Sequence, residues 1–175
     1  LAIFGKALGN GYAITAIIGK KNIMMTAQKS FISSTFWTER IGPCAAIATL
    51  DVMKKTKSWK TIDKNGNYIM DNWRKLAKRY GLEIELNGLP ALCSFVFKSK
   101  NSEKYKALIT QEMLKKGFLS SNTVYSCTSH TKFVINKYFW ELEKIFRLIQ
   151  KCEDGLNIDK LLNFPIPQKG FQRLN

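Results

Sequence analysis

Short apolar runs open the chain, and longer stripes of helical spacing fill most of the rest. Leu1-Ala2-Ile3-Phe4 reads as the end of a buried strand, Gly5 to Tyr12 as a glycine-rich turn, and Ala13 to Gly19 as a second short strand. Neither run alternates apolar with polar residues. Both faces are therefore expected to be covered, as in an α/β sheet. Lys20 to Gln28 reads as a short helix, and Lys29 to Arg40 as a loop rich in Ser, Thr and aromatic residues.

From Gly42-Pro43 onward the period changes. Pro43 suits the first turn of a helix, whose expected inward stripe is Ile41, Ala45, Ala48 and Val52. A second helix is expected over about 58–80, with Ile69, Trp73, Leu76 and Tyr80 on one face and Gly81 as its stop; Asn65-Gly66 weakens its first half. Leu82 to Lys98 reads as two strands around an Asn87-Gly88 turn. Ser102 is read as the cap of a helix that turns Tyr105, Leu108, Ile109 and Met113 inward and stops at Gly117. Phe118 to Cys127 reads as a pair of short strands around Asn122. Thr128 to Thr131 then supplies caps for a long helix to about Cys152, with Val134, Tyr138, Leu142, Ile145 and Ile149 as its stripe.

These elements divide the chain into three. Residues 1–40 are strands and loop, expected to be the end of a larger sheet whose other strands are absent. Residues 41–155 are helices around a small sheet of α+β type. Residues 156–175 form an irregular tail with Pro165, Pro167 and Gly170. The chain is read as the later part of a longer protein.

Composition narrows the function. With 45% apolar and 12% aromatic residues over 175 positions, the chain can bury a core and is not a disordered segment. No apolar run reaches the ~18 residues of a membrane span, so no membrane partner is expected. The net charge of +15 raises a nucleic-acid reading. Its lysines are dispersed, however, with no run of five and no alternation of basic and aromatic residues, so a solvated basic surface accounts for them better. Cys44, Cys93, Cys127 and Cys152 lack CxxC spacing and suit buried free thiols in a reducing, cytoplasmic compartment. With His130 the only histidine, no metal site is expected.

Three places carry candidate chemistry. Lys6 ends an apolar strand and precedes Gly9-Asn10-Gly11. Open α/β sheets place ligands at such strand ends, and partial desolvation makes a lysine amine a nucleophile able to form a Schiff base with an aldehyde. A strand-end lysine is also an ordinary surface residue. Ser33-Ser34-Thr35 sets hydroxyls before a helix, where they suit a phosphate or simply a turn, and Arg40 follows them. His130 precedes the last helix with no nucleophile or carboxylate nearby in sequence, which favours capping or packing.

The stretch FGKALGNGYAITAIIG resembles the cofactor-lysine segment of class III aminotransferases, above all their glutamate-1-semialdehyde aminomutase-like branch. Ser33-Ser34-Thr35-Phe36 resembles the segment whose threonine reaches the cofactor phosphate of the neighbouring subunit. Gly117-Phe118-Leu119 through Ser129-His130-Thr131 resembles the family's C-terminal domain. The resemblance implies the C-terminal part of a pyridoxal-phosphate-dependent transferase of the aspartate aminotransferase fold type, α/β followed by α+β. It implies Lys6 as Schiff-base lysine and proton shuttle, and Thr35 with Ser34 at the cofactor phosphate. It further implies a homodimer with shared active sites and a small-molecule amino donor and acceptor. Amino transfer and intramolecular amino migration both remain open, and no arginine matches the family's carboxylate-binding position. A basic nucleic-acid-binding module and a non-catalytic dimerising remnant are the rival readings.

Overall fold

The computed structural model describes residues 1–33, 35 and 37–166. The chain divides into two compact units, one over Leu1–Ser58 and one from Trp59 onward.

In the first unit, β1 (Ala2–Phe4) pairs antiparallel with β2 (Ala16–Ile18), Ile3 opposite Ile17. The second strand is shorter than its apolar run, because Ala13 to Thr15 belong to the turn. A short helix α1 (Lys21–Met24) follows, and then α2 (Ile41–Thr56). Within this chain neither face of these strands is covered. Leu1, Ile3, Phe4, Ile17 and Ile18 are all exposed, Ile3 at 75%, since no described element lies over them. The stripe expected on α2 is corrected. Gly42 and Ala46 are its buried positions, while Ile41, Ile47, Leu50 and Val52 stay exposed. Within this unit α2 meets the turn before β2, and only a small residue admits that approach.

The second unit builds the core. Helix α3 (Ser58–Arg79) runs unbroken through Asn65-Gly66. Strands β3 (Ile84–Leu89) and β4 (Leu92–Phe97) form a hairpin, and β5 (Thr123–Tyr125) pairs with the other edge of β4. Helices α4 (Ser102–Leu114) and α5 (Lys132–Glu153) complete it. Alternation along β4 sends Cys93, Phe95 and Phe97 inward. They meet Trp73, Tyr105, Leu108, Leu142, Phe146 and Ile149, all fully buried. Trp73 packs on Phe95 at 4.7 Å between ring centroids, and Phe95 reaches Phe146 at 5.9 Å. The Trp73 indole N–H donates to the Tyr138 hydroxyl at 3.1 Å, which satisfies both polar atoms inside apolar surroundings.

Three helices of this unit end alike. After α3 the Leu82 N–H reaches the Ala77 carbonyl at 2.9 Å, with Gly81 at φ +62 between them; Gly117 and Gly155 repeat the arrangement after α4 and α5. This closure satisfies carbonyls that the helix end leaves free. The N-terminus of α5 is capped as expected, Thr131 Oγ1 accepting from the Val134 N–H. Ser102, however, lies inside α4; Ser99 Oγ accepts from the Asn101 N–H just before it.

Four further expectations change. The hairpin turn is Pro90-Ala91, while Asn87 and Gly88 are ladder residues opposite Ser94 and Cys93. Gly88 sits at φ +88, and a Cβ there would come 2.2 Å from the Leu92 carbonyl oxygen. The Asn-Gly pair therefore serves a close approach within the ladder. Phe118 to Asn122 forms no strand, although Asn122 still exchanges two hydrogen bonds with the Phe95 backbone. On α5 the buried stripe runs through Ile135 and Phe146, while Val134 is exposed. Beyond α5, the 3-10 turn Ile158–Lys160 places Ile158 in the core.

Two predictions follow from this packing. Trp73→Ala should cost about 3–5 kcal/mol, and Tyr138→Phe, which strands the indole N–H, about 1–3 kcal/mol, both read from urea unfolding. Separately, a hydrogen bond from Arg79 holds the Glu143 carboxyl below its ordinary value, against partial burial and with help from Tyr80. A depressed carboxylate contributes stability above its unfolded pKa and loses it as pH falls through the folded value. Glu143→Gln should therefore flatten the acid side of the stability–pH curve and leave its alkaline side unchanged.

Candidate functional site

The turn that carries Lys6 is built by hydrogen bonds and by two glycines. Gly5 O accepts from the Leu8 N–H, Lys6 O from the Asn10 N–H and Gly9 O from the Tyr12 N–H, each at 3.1 Å. The chain thus coils tightly straight out of β1. Lys6 itself lies at φ +47, as does Asn10. Asparagine tolerates that left-handed backbone; lysine pays on the order of 1 kcal/mol for it. The side chain of Lys6 is exposed.

Ile14 holds the turn against α2. A Cβ on Gly9 would lie 2.1 Å from the Tyr12 carbonyl oxygen and 2.8 Å from Ile14, and a Cβ on Gly42 would lie 2.8 Å from the Ala13 carbonyl oxygen and 3.2 Å from Ile14. Both glycines are buried. The Lys6 turn is therefore seated on the first turn of α2 through contacts that leave no room for a methyl group.

The N-terminus of α2 has its own anion. Glu39 accepts from the Ile41 N–H through one carboxylate oxygen and from the Gly42 N–H at 3.1 Å through the other. This satisfies two free helix donors and complements the helix dipole. Glu39 carries no sequence signature of this role beyond its place two residues before the helix. Thr35 lies in an exposed turn and Ser33 is exposed, whereas Ser34 and Phe36 lie outside the described residues. Around Thr35, Phe31 is 96% exposed, and Ile32 and Trp37 are exposed as well. This unit carries eight basic residues against two acids, Glu39 and Asp51, a balance that favours an anionic ligand.

His130 belongs to the second unit. Its Nδ1 accepts from the Cys127 N–H at 3.3 Å. The Asn65 side-chain amide donates to the carbonyls of His130, at 2.8 Å, and Cys127, at 3.2 Å. Asn65 looked like a flaw in the helix, yet it clamps this turn, and its neighbour Gly66 lets α3 approach Pro90, where a Cβ would be 1.8 Å from the carbonyl oxygen. Among the described residues no cluster of His, Cys, Asp and Glu could hold a metal ion, and no helix is long and apolar enough to cross a membrane.

The family model for class-III aminotransferases matches residues 1–153, and the chain belongs to that family. The 3-aminobutyryl-CoA aminotransferase of Cloacimonas acidaminovorans is 33% identical over 112 residues, 63% of this chain and 27% of that protein. The glutamate-1-semialdehyde 2,1-aminomutase of Fusobacterium nucleatum is 25% identical over 85% of this chain and 39% of its own length. The chain thus spans well under half the length of these relatives. Among solved structures, the PLP internal aldimine form of the FumI protein of Sphingopyxis sp. MTA144 superposes with a TM-score of 0.77 over 91% of this chain and 39% of its own, at 21% identity. A transaminase with PLP bound gives 0.74 at 20% identity, over 87% and 39%. The expected fold type, α/β followed by α+β, is that of these pyridoxal-phosphate-dependent transaminases.

The seating of the Lys6 turn is testable. Gly9→Ala should speed hydrogen exchange at the Asn10 and Tyr12 amides about tenfold or more, because the turn must open to admit the methyl. Exchange in α5 should be unaffected.

Proposed function

We propose that this chain is the C-terminal part of a pyridoxal-phosphate-dependent aminotransferase or aminomutase, with Lys6 as the residue that holds the cofactor. The observation that carries the reading is the left-handed Lys6 backbone at the end of β1, maintained by a turn with no spare volume. Backbone strain of this kind clusters at functional positions, and the Lys6 angle, unlike that of Lys57, does not close an α-helix. Family membership over residues 1–153 supports it independently.

The residues present fit two ends of such a cofactor. Lys6 Nζ supplies the amine for its aldehyde carbon. The Ser33, Ser34 and Thr35 hydroxyls supply donors for its phosphate, in a unit whose charge favours an anion. The cofactor, when bound, supplies the electron sink for bonds at the substrate's amino-bearing carbon. Lys6 Nζ, once released by the incoming amine, takes the proton from that carbon as a base and returns it as an acid. Glu39 is committed to the α2 terminus, so the group that pairs with the ring nitrogen is assigned to the part of the enzyme outside this chain.

The same part is assigned the cover for β1 and β2. Thr35 is proposed to reach the cofactor of a second subunit in a homodimer, because Phe31, Ile32 and Trp37 around it suit an interface better than solvent. A cytoplasmic location is supported by four cysteines that all remain free thiols.

Borohydride reduction of the intact enzyme followed by peptide mass spectrometry should place the pyridoxyl group on Lys6, and Lys6→Ala should abolish both the adduct and turnover. An adduct on another lysine refutes the assignment.

A further inference from the structure

We infer that the hollow between α3, the segment 118–125 and α5 is a binding site for a small aromatic molecule carrying one carbonyl-type oxygen. The hollow has a volume of about 300 Å³; roughly half that volume holds a benzene ring in an apolar protein cavity. Its walls are aliphatic and aromatic, with Ile69 and Ile135 at the base, Phe118 and Tyr138 at the sides and Tyr125 toward solvent. Apolar walls with few polar groups are what small-molecule sites present.

The polar group that selects the ligand is His130, which also lines the hollow. Its Nδ1 accepts from the Cys127 N–H, so the neutral ring carries its proton on Nε2. That donor has no acceptor among the described residues. That Cys127 bond holds the ring, and Asn65 holds the backbone of the same turn through the His130 and Cys127 carbonyls. Hydroxyls reach the hollow as well: Tyr138, which accepts from the Trp73 indole, Ser120, which donates to the Ser121 carbonyl at 3.3 Å, and those of Thr123 and Tyr125. Burial pushes the Tyr138 hydroxyl up to about 12, against the pull of the Trp73 bond, and keeps it a neutral phenol. The site therefore sets donors, the held His130 ring first among them, in apolar walls, which calls for an apolar body with an acceptor oxygen. The oxygen belongs to a ketone or to a carboxylate. This inference does not rest on the cofactor reading, and it is tested without cofactor.

The test is titration of the intact apoenzyme, followed by ¹H–¹⁵N TROSY NMR, with acetophenone, benzoate and toluene. Acetophenone or benzoate should shift the amides of 118–125 and 134–138 and bind about three- to tenfold more tightly than toluene, as one net hydrogen bond implies; the better of the two identifies the oxygen. His130→Phe should remove that preference. Val134→Trp, at an exposed lining position, should block all three probes while the core resonances stay in place. No shift at these amides with any probe overturns the inference, and so does a preference for the oxygen-bearing probes that survives in His130→Phe.

Discussion

Burial of Trp73 is the contact on which the second unit depends. The indole lies where α3, β4 and α5 converge, against Phe95 and with its N–H on Tyr138. Each neighbouring element is fixed through it. Phe95 sets the face of β4, Tyr138 sets the rotation of α5, and the helix that carries Trp73 brings Asn65 to the 127–130 turn. An aromatic core of this size contributes far more through area removed from water than through any one polar bond. The polar bond adds direction, since only one rotation of α5 brings the phenol to the indole.

The first unit obeys a different constraint. Apart from Gly9, its described buried residues are Gly42 and Ala46 on α2 and Ser58 at the end of the unit, and its aliphatic strands stand open. Shape rather than burial defines it, through a coil of three turn hydrogen bonds wedged by Ile14 between two glycines. A segment of this kind specifies local geometry without being able to pay the entropy of folding by hydrophobic burial. Under the proposed reading, the exposed apolar side chains of β1 and β2 are the surface that the rest of the enzyme covers.

The sequence made the helices of the second unit legible because their stripes are long and their glycine stops sit where the closing motif needs them. It misled where one residue type serves two purposes. Asn87-Gly88 has turn chemistry, but the pair is spent on a close approach inside the ladder, and the turn falls two residues later. Asn65-Gly66 has poor helix propensity, yet tertiary contacts at Pro90 and at the Cys127–His130 turn outweigh it. Val134 and Ile135 are adjacent, and period alone does not decide which of two neighbours faces inward. On α2 the large aliphatics suggested the buried face, while the steric need for Gly42 and Ala46 chose another. At the candidate site, Lys6 and Thr35 were visible as residue types in suggestive contexts. The left-handed backbone at Lys6 and the carboxylate cap from Glu39 were not, because both arise from turn geometry that has no periodic signature.

The backbone at Lys6 bears on how such a chain would change over generations. Glycine adopts a left-handed φ without cost, so replacing the lysine by glycine would relieve strain and gain about 1 kcal/mol of stability. A copy freed from the need for an amine would drift toward that residue, since stability alone would favour it and nothing would oppose it. A lysine retained at this angle is what the proposed cofactor role of Lys6 requires; Lys57, at φ +51 where α2 ends, requires no such role, because helix termini adopt that angle by themselves.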